Sequence, residues 1–98
     1  MDEKVVFTAL IETYGKLLTE KQREIAELYF SCDLSYAEIA EIKGVSRQTV
    51  VDAVKTVKVE LTDYEAKLRL CEIKSAIREI KNGQNKTALK RLTEIIEE

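Results

Sequence analysis

The sequence has no histidine, no proline, only three glycines and only two cysteines. Each shortage excludes something. Without histidine, the side chain most often used for proton transfer near neutral pH is missing, and so is the commonest partner of cysteine in zinc sites. Cys32 and Cys71 stand far apart with no CxxC spacing. Neither a metal site nor a disulfide in a reducing compartment is expected from them, and both read as core fillers. No apolar run approaches the roughly eighteen residues needed to span a bilayer. The N-terminal MDEKVVFTAL lacks the basic and then apolar build of a signal peptide, so a cytoplasmic protein with no membrane partner is expected. Glycine-rich phosphate loops, nucleophile elbows and paired-acid motifs are also missing, and the carboxylates are scattered along solvated helix faces. The expectation is no enzyme, no cofactor and no metal.

What is present is a chain of strong helix formers. Ninety-eight residues with 45% apolar content fit a single all-α domain spanning 1–98. A first helix is expected from about Lys4 to Leu18, with Phe7, Leu10, Ile11, Tyr14, Leu17 and Leu18 on one apolar stripe. Thr19 and Gln22 then form a capping box that opens a second helix reaching about Phe30. Ser35 and Glu38 repeat the device, with Leu34 placed to staple onto Ile39. The short third helix ends near Gly44, which supplies the left-handed backbone of a tight turn. Ser46 caps the next helix, and Val45 is placed to staple onto Val50.

From Val50 the apolar positions Val54, Val57, Leu61, Tyr64, Leu68 and Cys71 follow in steps of four and three, a heptad seam. The seam serves either a second copy of the chain or the first and last helices of the same chain. It lapses at Ser75 and Arg78, where a displaced stripe of Leu70, Ile73, Ile77 and Ile80 takes over, so the helix breaks or changes neighbour there. Asn82-Gly83 stops it. A last helix from about Asn85 to Glu97 turns Ala88, Leu89, Leu92, Ile95 and Ile96 inward.

The segment YAEIAEIKGVSRQTVVDAVK has the spacing of a helix-turn-helix. Ala40 is small where two helices approach, Gly44 sits in the turn, Val45 plugs it, and Val50 faces inward. The helix starting at Arg47 is then the reading helix, presenting Ser46, Arg47, Gln48, Val51, Asp52 and Lys55, with Tyr36 near a phosphate and Lys58 further along. Arg47 suits guanine, Gln48 adenine and Val51 a thymine methyl, whereas Thr49 and Lys55 suit phosphate oxygens. Charge weighs against affinity for nucleic acid. From Ser35 to Thr62, Lys43, Arg47, Lys55 and Lys58 are balanced by Glu38, Glu41, Asp52 and Glu60, in a chain of net charge -2. Cations are in excess further on, where Lys67, Lys74, Arg78 and Lys81 share a helical stripe. That basic face is either a lining for an RNA backbone or acidic protein, or a solvated outer face.

The stretch LTEKQREIAELYFSCDLSYAEIAEIKGVSRQTVVDAVKTVKVELTDYEAKL resembles the YlxM family, small helix-turn-helix proteins of Gram-positive bacteria and their relatives. Leu18 to Arg23, Leu28-Tyr29, Asp33 to Ser35, Glu38 to Ala40, Val45 to Gln48, Asp52, Lys55 and Tyr64-Glu65 match that family's pattern. The coverage is about residues 5–70. The same segment is more distantly similar to region four of bacterial sigma factors, but it has Val51 and Asp52 where basic residues usually follow. The resemblance implies a sigma region four-like member of the winged-helix-like DNA-binding superfamily, with no wing. Its helix-turn-helix core would span 18–62, followed by a C-terminal helical extension over 63–98. It further implies an accessory or regulatory protein of the signal recognition particle pathway, whose partners are DNA, the particle's RNA or its GTPase. A homodimer is a separate expectation, resting on the small core, the Val, Leu and Tyr seam and the two-fold symmetry of DNA-binding helix-turn-helix proteins. The alternative is a protein-interaction or dimerisation module in which the helix-turn-helix is only a scaffold.

Overall fold

A computed structural model describes residues 2–97, and among them it contains six α-helices and no strand. The chain divides into two compact units, the first ending at Tyr64 and the second starting at Glu65.

The first unit opens with α1 (Glu3–Tyr14), capped by Asp2, whose carboxylate accepts from the Lys4 amide at 2.9 Å. Its buried face is Leu10, Ile11 and Tyr14. The expected continuation to Leu18 tightens into a 3₁₀ turn at Gly15–Leu17. This change of pitch leaves Leu17 54% exposed and gives the inward place to Leu18. The Thr19 capping box forms as expected, with Gln22 N donating to Thr19 Oγ1 at 3.2 Å and Thr19 N donating to Gln22 Oε1 at 3.1 Å.

Helix α2 (Glu20–Ala26) does not run on as an α-helix to Phe30, because Glu27–Ser31 widens into a π turn. There the Cys32 amide reaches back five residues to the Glu27 carbonyl at 3.0 Å. The widening places two adjacent aromatics in packing positions. Phe30 is buried and stacks on Phe7 at 5.1 Å between centroids, while Tyr29 meets the Phe30 edge at 4.9 Å. Cys32, just past the turn, is exposed, so it is not a core filler; Cys71 is half-buried.

Helix α3 (Tyr36–Lys43) begins with the Ser35 and Glu38 box, at 3.1 and 3.0 Å. It ends in a Schellman motif: Val45 N donates to Ala40 O at 3.1 Å, Gly44 N donates to Glu41 O at 3.3 Å, and Gly44 has φ 67°. Helix α4 (Arg47–Leu68) follows at once. Its seam residues Val50, Val54, Val57 and Leu61 are at most 1% exposed in the single chain. On the same helix Tyr64 meets Tyr14 of α1 at 5.9 Å, and Lys58 pairs with Glu3 of α1 at 2.8 Å. This part of the seam is therefore buried inside the fold and is not available to a second copy.

Helix α4 ends at Leu68, seven residues before Ser75, where the seam was expected to lapse. Arg69 breaks it by adopting φ 52°, a conformation that costs a non-glycine residue about 1–2 kcal/mol. The Arg69 guanidinium holds the Glu72 carboxylate at 2.8 and 3.1 Å, and Glu65 Oε1 accepts from the Cys71 amide at 3.1 Å. Both contacts offset part of the cost, and the Glu65 carboxylate also satisfies a first-turn amide of α5 (Leu70–Lys81). A second Schellman motif around Gly83, φ 84°, closes α5 before α6 (Asn85–Glu97). In this second unit α5 and α6 pack against each other. Ala76 and Ala88 are fully buried, and Arg91 pairs with Glu79. Leu89 and Ile96, expected to point inward, are 58% and 80% exposed. A two-helix layer has only one buried side, and the small alanines occupy it.

Candidate nucleic-acid interface

Helix α4, the expected reading helix, starts in a way its sequence dictates. Gly44 reverses the chain, and Ser46 Oγ then accepts from the Thr49 amide at 3.0 Å and lies 2.7 Å from the Thr49 hydroxyl. With Val50 fully buried below, Ser46, Arg47, Gln48 and Thr49 are all exposed above the first turn. Asp52 and Lys55 continue that exposed side, and Val51 is half-buried. The structure thus brings Ser46, Arg47, Gln48, Thr49, Val51, Asp52 and Lys55 together at the start of α4. Lys58 is placed elsewhere. Its ammonium pairs with Glu3 and stands 5.8 Å over the Phe7 ring, so it is engaged with α1.

Two contacts define what this side can do. Gln48 Nε2 donates to Asp52 Oδ1 at 2.8 Å, which leaves the Gln48 carbonyl free as an acceptor and holds the carboxylate in one place. The Arg47 guanidinium lies 5.8 Å over the Tyr36 ring. Tyr36 in turn stacks on Tyr29 at 4.8 Å with the planes 3° apart, and the Lys4 ammonium stands 4.6 Å over the other ring. Two cations therefore flank a pair of stacked phenols, beside an open hollow of about 490 Å³ lined by Lys4, Tyr29, Ser35, Tyr36 and Arg47.

The ionisation of this neighbourhood follows its contacts. A hydrogen bond with Tyr29, then burial, raises the Tyr36 phenol above its ordinary value. The carboxylate of Asp33 holds the Lys4 ammonium above the usual lysine range. Donation from the Ser35 backbone, then from its side chain, lowers Glu38, and the Lys43 ammonium lowers Glu24. Of the two cations on the stack, Lys4 is paired with Asp33, whereas Arg47 has no carboxylate partner among the described residues. Arg47 is the cation available to an incoming anion.

The contribution of Tyr29 and Lys4 has no local sequence signal, because the π turn that aims Tyr29 at Tyr36 arises from tertiary packing. The basic stripe is also altered. Lys67 lies on the last turn of α4, and Arg69 separates it from Lys74, Arg78 and Lys81 on α5, although all four are exposed.

A capped short helix, a glycine turn and a second helix anchored by Val50 define a helix-turn-helix protein. The chain belongs to the UPF0122 family, described as "Putative helix-turn-helix protein, YlxM / p13 like", whose match covers residues 1–98. It is 48% identical to a UPF0122 protein of Clostridium kluyveri over 83 residues, which is 85% of this chain and 75% of the relative. A UPF0122 protein of Fusobacterium nucleatum is 45% identical over 78 residues, 80% of this chain and 76% of the relative. One from Clostridium novyi is 46% identical over 70 residues, 71% of this chain and 61% of the relative. No described helix is long and apolar enough to cross a membrane.

Proposed function

We propose that this protein binds nucleic acid through the start of α4 and acts as an accessory or regulatory factor, with the signal recognition particle as its setting. The observation that carries the reading is the unpaired Arg47, held over Tyr36 beside exposed Ser46, Gln48 and Thr49. Arg47 and Tyr36 meet phosphate or a base edge, and Thr49 and Lys55 meet the backbone. Asp52, oriented by Gln48, accepts from an exocyclic amino group such as that of cytosine and repels phosphate. The balanced charge of the motif makes non-specific affinity low, so selectivity comes from base edges and shape more than from counterion release. Lys74, Arg78 and Lys81 on α5 offer a second contact suited to an RNA backbone. The particle's RNA is therefore the first ligand to test and duplex DNA the second, with its GTPase as the protein partner if both fail.

Fluorescence anisotropy of the full chain against that RNA and against random duplex DNA, at low and near-physiological salt, tests the reading. RNA-selective binding that survives salt and weakens about tenfold with Arg47→Ala is expected. Absence of binding to either nucleic acid at low salt would leave the helix-turn-helix as a scaffold.

A further inference from the structure

The column of side chains that carries Arg47 has a closed end and an open one. At the closed end the Lys4 ammonium stands 4.6 Å over the Tyr29 ring and is held there by the Asp33 carboxylate. At the open end the Arg47 guanidinium stands 5.8 Å over the Tyr36 ring, close to the limit of about 6 Å at which a ring still attracts a cation. Arg47 is exposed, and no carboxylate among the described residues ties it down. The outer face of Tyr36 therefore meets a long side chain that can lift away.

The platform beneath is fixed. Tyr36 lies parallel to Tyr29 at 4.8 Å, Tyr29 meets the edge of Phe30 at 4.9 Å, and buried Phe30 stacks on Phe7. A ring backed in this way is already oriented before a ligand arrives, so little ordering is left to oppose binding.

The charge of the hollow beside the column decides what it takes. Lys4 and Arg47 are balanced by Asp33 and Glu38 around about 490 Å³. A phosphate needs an excess of cations, whereas an aromatic wall with no net charge suits a flat polar ring. A base inside a duplex has its faces covered by its neighbours and shows only its edges. A base outside the duplex shows its faces, and proteins stack aromatic rings and guanidinium planes on them.

We infer that the Tyr36 end of this hollow takes one unpaired base, stacked on the Tyr36 ring with the Arg47 guanidinium closing over it. The inference rests on the start of α4 being a nucleic-acid interface and narrows that reading to a nucleotide outside the helical stack, in an RNA loop or in single-stranded DNA. Tyr36 supplies the stacking surface. Arg47 acts through its planar shape as well as its charge, and Lys4 with Asp33 closes the far end.

Fluorescence anisotropy of the full chain at low salt compares an RNA hairpin carrying one bulged nucleotide, the same hairpin fully paired, a single-stranded RNA and a single-stranded DNA. The bulged and single-stranded probes are expected to bind at least about fivefold more tightly than the paired hairpin. A 2-aminopurine placed in the bulge should lose fluorescence on binding. Arg47→Lys keeps the charge without the plane; it should abolish most of the preference and leave affinity for the paired hairpin within about twofold. Tyr36→Phe should keep both the preference and the quenching, and Tyr36→Leu should lose both. Equal binding of the two single strands identifies the base alone as the ligand, and a preference for RNA adds its 2′-hydroxyl. A paired hairpin bound as tightly as the bulged one would overturn the inference and leave nucleic-acid binding by α4 standing. A preference that survives both Arg47→Lys and Tyr36→Leu would also overturn it, since the unpaired strand would then lie elsewhere on the protein. No binding to any probe removes both readings.

Discussion

Tyr29 and Tyr36 lie face to face, 4.8 Å between centroids and 3° from parallel, although one belongs to the π turn and the other opens α3. The stack ties the turn to the first helix of the helix-turn-helix and supports Arg47 from below. Replacing Tyr29 by Leu keeps most of the apolar area but removes the ring pairing. A loss of about 0.5–1.5 kcal/mol in urea unfolding is expected, together with weaker nucleic-acid binding because Arg47 is less well held.

The phenol of Tyr36 provides a spectroscopic check on the same contact. Its folded value is raised, so the neutral form is favoured in the fold. That contribution to stability is complete below the ordinary tyrosine value and is lost as pH rises through the higher folded value. Absorbance titration at alkaline pH should show one tyrosine ionising late. Tyr29→Phe should bring it back toward the ordinary range, since the hydrogen bond with Tyr29 is the largest cause of the shift.

Two carboxylates shift the other way. Glu38, lowered by the Ser35 backbone and hydroxyl, and Glu24, lowered by Lys43, favour the folded state while ionised. Their contribution is present above the ordinary glutamate value and disappears as pH falls through the depressed folded values. The melting temperature should drop between about pH 5 and pH 3, and Glu38→Gln should flatten that dependence. Ser35→Ala removes the cap outright and should cost about 1 kcal/mol at neutral pH.

Gly44 has φ 67°, and a Cβ added there would meet nothing within 4 Å. The cost of Gly44→Ala is therefore backbone strain alone, about 1–2 kcal/mol in thermal unfolding. Gly44→Asn should cost less, because asparagine tolerates the left-handed region.

Leu61 is fully buried on α4. Leu61→Ala should destabilise by about 2–5 kcal/mol. Because this part of the seam is covered within the chain, the loss should be independent of protein concentration, as measured by denaturation at two concentrations far apart.

The features legible in the sequence were those fixed by neighbours along the chain. The Thr19 and Ser35 boxes, the Gly44 and Gly83 turns, and α6 from Asn85 to Glu97 follow from side chains that bond or bend their own backbone. The start of α4 was legible for the same reason. What escaped depended on packing across the chain. The 3₁₀ turn exposes Leu17, the π turn exposes Cys32 and recruits Tyr29, and Glu3 draws Lys58 toward α1. Arg69 at positive φ also had no warning, since the bonds that hold it come from Glu65 and Glu72 after the chain has turned. Periodicity located the α4 seam but left open which surface covers it.

The five residues Glu27–Ser31 pack one more residue into a turn than an α-helix would. In an α-helix each residue advances the side-chain direction by about 100°. Deleting a single residue here would restore ordinary pairing and swing everything after it by that angle, while the capping boxes on either side stayed intact. Phe30 would leave Phe7, and Tyr29 would leave Tyr36. The segment is thus the place where chain length, more than residue identity, is constrained: a conservative substitution at Glu27 should pass unnoticed, and loss of one codon in this stretch should uncouple α1 from the helix-turn-helix.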